Sequence, residues 1–295
     1  MNDDLIKIVN LSVRFKTEYE EIDAVRNVSF QLKEGETLAI VGESGSGKSV
    51  TALSIMRLLS PNALIDPKSN IFFVNKKNKR DDLVQIQQQK LASLRGNEIA
   101  MIFQEPMTSL NPLMRCGEQV AESLRLHLKV NQETARRHTI ELFTEVKLPD
   151  PEAAYLKYPH ELSGGQKQRV MIAMAICCKP KLLIADEPTT ALDVTVQKSI
   201  LHLLKELQAK YKMAMLFITH DLNLVRSFAD QVMVMYKSEA IETGPTALIF
   251  ENPQQNYTRS LLSCRPSQDI RVKYLSTVEE ISSGQTIHPV DGNIR

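Results

Sequence analysis

Apolar positions recur with two different periods along this chain, and the switching between them outlines its organisation. Residues 5–15 alternate loosely, with Leu5, Ile8, Val9, Leu11, Val13 and Phe15 as the apolar members, which predicts a strand. Residues 24–32 (AVRNVSFQL) repeat the pattern, and 71–74 (IFFV) predict another strand. Thr37–Val41 (TLAIV), Leu182–Ala185 (LLIA) and Met215–Thr219 (MLFIT) are short, nearly continuous apolar runs, the form taken by strands buried on both faces. Helical spacing runs through Val50–Leu59 and 85–95, then dominates from about 112 to 160, best at Glu118–Lys129 and Gln132–Val146. Glu34-Gly35 and the prolines at 61, 67, 149, 151 and 159 punctuate these segments, and 75–82 (NKKNKRDD) reads as a solvated charged loop. Strands alternating with helices predict an α/β fold whose mostly parallel sheet is covered on both faces. From about 266 onward the sequence is polar and weakly patterned, and no internal repeat stands out.

Composition narrows the class. The chain has 295 residues, 43% of them hydrophobic and 24% charged, which excludes a disordered, collagenous or coiled-coil chain as a whole. Lys and Arg total 36 against 35 for Asp and Glu, so the totals give no electrostatic case for a nucleic-acid binder, and no nucleic-acid partner is expected. The four cysteines, Cys116, Cys177, Cys178 and Cys264, form no C-x-x-C pair and have no histidine at zinc spacing, so they read as free thiols in a reducing compartment. The start, MNDDLIKIVN, lacks the basic region and apolar core of a secretory leader. No apolar run nears the roughly 18 residues that span a bilayer, so any work at a membrane must pass through a partner.

Two motifs carry chemistry. Gly42-Glu43-Ser44-Gly45-Ser46-Gly47-Lys48-Ser49 matches G-x-x-x-x-G-K-[ST] in full, between a predicted strand and a predicted helix. Glycines let such a loop turn several backbone N–H groups inward toward phosphate oxygens, and the following helix adds its positive dipole end. Gly42, Ser44, Gly45 and Gly47 are the candidate cradle, Lys48 the contact to the β- and γ-phosphates, and Ser49 a Mg²⁺ ligand. Farther on, the apolar run Leu182–Ala185 delivers Asp186 and Glu187 at its C-terminal end, where ligands sit in open α/β sheets. Asp186 suits a Mg²⁺ contact through water, and Glu187 a general base that polarises the attacking water.

A third stretch, Leu162-Ser163-Gly164-Gly165-Gln166, stands just before a helical pattern and resembles the signature of the ATP-binding-cassette (ABC) ATPases. Gln104 in MIFQEP resembles that family's Q-loop, Thr190-Ala191-Leu192-Asp193 its D-loop and His220 in FITHD its switch histidine, all in the family's order over roughly 5–265. The resemblance implies a P-loop NTPase core with a mostly parallel sheet, an antiparallel β subdomain and an inserted helical subdomain at about 105–165. The ATPase domain would cover 1–265, and 266–295 would be a polar tail or linker. It also implies ATP and Mg²⁺ as ligands, with Gln104 near the metal and the reacting phosphate, and His220 on the γ-phosphate. Phe15 would stack on adenine, with Tyr19 as its rival. In the family two ATPase units pair head to tail, so the signature residues Ser163, Gly164, Gly165 and Gln166 of one unit would complete the site on the other, and Asp193, the acidic residue of the D-loop, is a further nucleotide-site candidate. The partner unit would be a second copy or a paired heterologous unit, with ATP-driven closure as a population shift.

The stretch Gln104-Glu105-Pro106-Met107-Thr108-Ser109-Leu110-Asn111-Pro112 resembles the oligopeptide, dipeptide and nickel import branch. So do Arg95-Gly96, Gly244-Pro245, Asn252-Pro253 and Tyr257-Thr258-Arg259-Ser260-Leu261-Leu262. This implies an importer subunit at the cytoplasmic face of the membrane, joined to permease subunits and, through them, to an extracellular solute-binding protein. Peptides or a related small solute, nickel included, would be its cargo. Met107, Leu110, Leu113 and Met114 are open to two readings, a soft groove for a permease helix or packing inside the helical subdomain. Only Cys264 lies where many branch members hold several cysteines, so no iron–sulfur cluster is expected. Tyr236-Lys237-Ser238-Glu239 lacks the glycine usual at that turn, and Cys264-Arg265-Pro266 with the polar tail resembles the linker of a tandem protein with two ATPase units. The alternatives are a soluble ABC ATPase acting on DNA or ribosomes, an exporter ATPase, and a binding module without turnover.

Overall fold

The computed structural model describes residues 4–104, 109–190 and 192–263. Two sheets form its frame. The first is antiparallel. β1 (Asp4–Lys16) pairs with β2 (Glu21–Lys33) on one edge and with β4 (Ala63–Ile65) and β5 (Asn70–Val74) on the other, and β6 (Arg80–Asp82) adds to β5. The second has the order β11-β10-β3-β9-β8-β7. It joins β3 (Thr37–Val41), β7 (Ile99–Ile102), β8 (Leu182–Asp186), β9 (Ala214–Ile218) and β10 (Gln231–Tyr236) in parallel, and β11 (Glu239–Pro245) closes it as an antiparallel edge.

The continuous apolar strands behave as sheet geometry requires. Successive side chains point to opposite faces, so each strand feeds two cores. Leu38, Ile40, Leu182, Ile184, Leu216 and Ile218 join the cluster that includes the antiparallel sheet and helix α1 (Lys48–Met56). Ala39, Val41, Leu183, Ala185, Met215 and Phe217 join the other, built with α6 (Gly164–Ile176) and α7 (Val194–Tyr211). Between α1 and α6 along the chain come α2 (Gln88–Leu94), whose Leu91 and Leu94 join the first cluster, and α3 (Cys116–Leu128), α4 (Gln132–Glu145) and α5 (Pro151–Leu156), which join the second. The last three fall inside the segment expected to be helical. The chain finishes with α8 (Leu222–Phe228), α9 (Thr246–Glu251) and α10 (Asn256–Ser263). No helix among the described residues is long and apolar enough to cross a membrane.

Three local readings change. The charged run 75–82 is not wholly loop, because Arg80–Asp82 pairs with β5 as β6. β4 and β7 carry no strand signal of their own. At three and four residues they are too short for a period, and their neighbours hold them in place. The helix expected to reach Leu59 stops at Met56, because Arg57 takes a left-handed φ of 47° and Leu58 N–H bonds back to the Leu53 carbonyl at 3.0 Å.

The turn after Tyr236 forms without glycine: Lys237 and Ser238 both lie at positive φ, 45° and 71°. Neighbours hold it there. Arg26 donates to the Lys237 carbonyl at 2.8 Å, and Ser238 Oγ donates to the Asp23 carbonyl at 2.8 Å. Cys116, Cys177 and Cys178 are free and buried, with the sulfurs of the last two 3.7 Å apart; Cys264 lies outside the described residues.

Candidate functional site

The loop between β3 and α1 needs its glycines for space as well as for conformation. Gly42 sits at φ 150°, and a Cβ there would lie 2.2 Å from the Met235 carbonyl oxygen. Gly47 sits at φ 100°, and its Cβ would lie 2.4 Å from the Ala24 carbonyl oxygen. Neighbouring backbone therefore closes directly on the loop. Lys48 opens α1 and is buried, its ammonium donating to the carbonyls of Gly42 at 2.9 Å and Glu43 at 2.7 Å. Burial lowers its pKa, although the carboxylates of Glu187, Asp186 and Glu43 pull the other way. The Ser46 hydroxyl is buried in the same loop with no hydrogen-bond partner.

Across from the loop, β8 presents its two carboxylates in different settings. Asp186 is buried and accepts from Ser49 Oγ at 3.1 Å. Burial pushes its carboxyl up, the Ser49 bond opposes this, and the charge of Glu187 adds to the rise. Glu187, one residue on, lies at φ 46° and is caught by three groups. Gln104 Nε2 donates to Oε2 at 3.1 Å, Thr190 Oγ donates to the same oxygen at 2.9 Å, and His220 Nδ1 lies 3.1 Å from Oε1. Burial alone would raise its pKa, but the His220 and Thr190 bonds and the charges of His220 and Lys48 outweigh it and hold the carboxyl low.

A cavity of about 440 Å³ opens between these elements, lined by Ser44, Gly45, Gly47, Lys48, Ser49, Gln104, Glu187 and His220, with Ala24 and Val50. Residues as far apart in sequence as Ser44 and His220 thus share one concave surface because three parallel strands, β3, β8 and β9, end on the same side of the sheet. The site fits a phosphate chain: a glycine-rich turn open to the cavity at Gly45, an ammonium in the lining, and an unpartnered buried hydroxyl, Ser46, in the same loop. Ser49 and Asp186 offer hard oxygen donors of the kind Mg²⁺ takes.

Other candidates lie elsewhere. Ser163 is the N-cap of α6: its hydroxyl accepts from the Gln166 amide at 3.3 Å, and Gln166 Oε1 accepts from the Ser163 amide at 3.0 Å. A Cβ on Gly164 would meet Leu192 at 3.6 Å, and one on Gly165 would meet Val196 at 2.9 Å, so this turn packs on the start of α7. Asp193 is the exposed N-cap of α7 and accepts from the Val196 amide at 2.9 Å. None of these residues lines the phosphate-loop cavity of its own chain. Phe15 faces Ile22 across β1 and β2 and packs against the apolar cluster of the antiparallel sheet, also outside that lining, while Tyr19 is 94% exposed.

Thr190 and Ala24 are site residues that the sequence reading passes over. Thr190 falls inside the D-loop motif with nothing to separate it from its neighbours, and Ala24 arrives only through the packing of β2. Of the four residues with two readings, Leu110 is buried in the core and Leu113 is 86% exposed, while Met107 lies outside the described residues.

The family model described as ABC transporter matches residues 25–190. The glutathione import ATP-binding protein GsiA of Salmonella choleraesuis (strain SC-B67) is 49% identical over 266 residues, covering 89% of this chain and 42% of the relative. GsiA of Escherichia coli (strain K12) is 49% identical over 263 residues with the same coverage. The chain thus spans less than half the length of these curated relatives. Among solved structures, the dimeric ATP-binding cassette MJ0796 in a post-hydrolysis state bound to ADP and Pi aligns with a TM-score of 0.71 and 29% identity, over 82% of this chain and 98% of that one. The cbiO1 protein of Clostridium perfringens, part of the transporter complex cbiONQ, aligns with a TM-score of 0.69 and 27% identity, over 85% and 92%.

Proposed function

This chain belongs to the ABC transporter family, and from that premise we propose that it is the ATP-binding and ATP-hydrolysing unit of an importer for peptides or a related small solute. The observation that carries the reading is the single cavity that gathers Lys48, Ser49, Gln104, Glu187 and His220. The relatives named for glutathione import support the import direction and a peptide-like cargo.

Each side chain then has a task. Lys48 leaves the carbonyls of Gly42 and Glu43 for phosphate oxygens, while the loop amides and the start of α1 hold the rest of the chain of phosphates. Ser49 and Asp186, with Gln104 beside them, hold Mg²⁺, which when bound neutralises charge on the phosphates. Glu187, its carboxyl held low, is ionised at neutral pH and accepts a proton from the attacking water. His220, Thr190 and Gln104 set the orientation of that carboxylate, and His220 also reaches the γ-phosphate. Phe15 stacks on adenine. Ser163, Gly164, Gly165, Gln166 and Asp193 act across a head-to-tail pair on the partner unit's nucleotide, which agrees with their absence from their own chain's cavity. The ATPase domain covers 1–265 with the helical subdomain at about 105–165, and the chain works at the cytoplasmic face through permease subunits.

Affinity capture from detergent-solubilised native membranes tests the importer reading: a multi-span permease and a solute-binding protein are expected with the chain, and soluble partners alone would overturn it. In the captured complex, Glu187→Gln keeps ATP bound but lowers turnover by about a hundredfold or more, and Lys48→Ala loses ATP binding. Wild-type turnover in Glu187→Gln would sink the assignment of the base.

A further inference from the structure

Tyr257 stands on α10 in the Tyr257-Thr258-Arg259 stretch, and the chemistry above gives it no task. Its ring is 8% exposed and stacks on Tyr236, with centroids 4.1 Å apart and planes 30° apart. Tyr236 ends β10, and the carbonyl of the residue before it, Met235, is the group that closes on Gly42. A packed path therefore runs from α10 through β10 into the head of the phosphate loop. At its end the Tyr257 hydroxyl is buried and completes no hydrogen bond. It faces Glu43. Burial and the Glu43 carboxylate push the phenol up to about 12, while the Glu43 backbone N–H opposes the rise. Such a hydroxyl can accept from that N–H and donate to that carboxylate, and a buried one left unpartnered is costly. On its other side the Glu43 peptide is tied by Lys48, which donates to its carbonyl at 2.7 Å.

We propose that Tyr257 is a positioning residue for the phosphate loop: its hydroxyl holds Glu43 once Lys48 has turned to phosphate, so that α10 sets the loop's affinity for nucleotide. The inference rests on reading the loop as an ATP site. Lys48 cannot serve the Glu43 carbonyl and the phosphates equally, so binding removes one of the loop's two anchors. Tyr257 supplies the other from a rigid stack, which limits the order the loop must acquire on binding.

The test is calorimetric titration of the full chain with ATP and Mg²⁺, beside its melting temperature without nucleotide. Tyr257→Phe should weaken ATP about fivefold, the worth of one hydrogen bond. Its melting temperature should be unchanged or higher, because the fold loses only an unpartnered hydroxyl. Adding Glu43→Gln should shrink the Tyr257→Phe penalty, since the two residues act as one unit. Affinity within about twofold of wild type in Tyr257→Phe, with ATP lost in Lys48→Ala, overturns the inference alone. A fall of melting temperature and affinity together marks a packing role and also overturns it. Wild-type affinity in Lys48→Ala overturns the ATP reading of the loop, and the inference falls with it.

Discussion

Three groups converge on the two oxygens of Glu187, whose backbone stands at φ 46°, a conformation L residues seldom adopt. Strain of that kind persists where surrounding bonds fix it, and here they arrive from Gln104, Thr190 and His220. The glycines across the cavity set a second residue-scale constraint, and they are not equivalent. Gly42→Ala places a Cβ against the Met235 carbonyl at 2.2 Å, whereas Gly45, at φ 79°, has nothing within 4 Å of its Cβ. Gly45→Ala should therefore cost only the φ penalty, about 1 kcal/mol. Gly42→Ala should cost about 3 kcal/mol or more, with loss of ATP binding as the loop shifts. Thermal melts and ATP titrations of the two variants side by side check the order. The glycine-rich motif was legible in sequence because its spacing and its backbone geometry are the same fact. The Met235 contact was not, since it depends on β10 lying beside β3.

Between elements, the helical segment is tied to the core by charged groups. Glu145 at the end of α4 accepts from Lys210 at 2.7 Å and from the Tyr211 hydroxyl, both at the end of α7. Burial alone would raise the Glu145 carboxyl, but these two donors and the charges of Lys210 and Lys179 hold it below the ordinary 4.5. A folded-state pKa depressed in this way adds stability above 4.5, lost as pH falls through the folded-state value. Glu145→Gln should lower stability by about 1 kcal/mol at neutral pH, and the gap from wild type should close in acid. Melts from pH 7 to pH 3 read this directly, and a gap independent of pH would contradict it. At this scale the strong periods of α3 and α4 were visible along the chain, whereas β4, β6 and β7 were not. Those strands are three or four residues long, and cross-strand bonds rather than local propensity define them.

At the scale of the whole molecule, exposure separates surface for partners from surface for packing. Leu110 is 2% exposed and belongs to the core, while Leu113, three residues on, is 86% exposed beside the Gln104 stretch. Leu113→Asp should leave melting temperature and ATP affinity at wild-type values, because the side chain packs on nothing that either depends on. On the proposed function it should reduce recovery of the permease with the captured chain, and unchanged recovery would place the permease contact elsewhere. The same scale explains why the signature turn at Ser163 stands apart from the phosphate loop. Its hydroxyl and the Gln166 amide close a capping box on α6, with Ser163 and Gly164 exposed at the surface.

The sequence by itself determined the alternation that puts Ala39 and Ile40 into different cores, the glycine spacing of the phosphate loop, and the two carboxylates at the end of β8. Each of these is local: a period, a spacing or a strand terminus acts within a few residues of itself. Tertiary structure decided which distant groups meet. Gln104, Thr190 and His220 reach one carboxylate, and Tyr257 stacks on Tyr236 at the end of β10, because parallel strands end together and helices pack over their ends. Contacts between residues far apart in the chain follow from strand order and packing, and no local pattern encodes them.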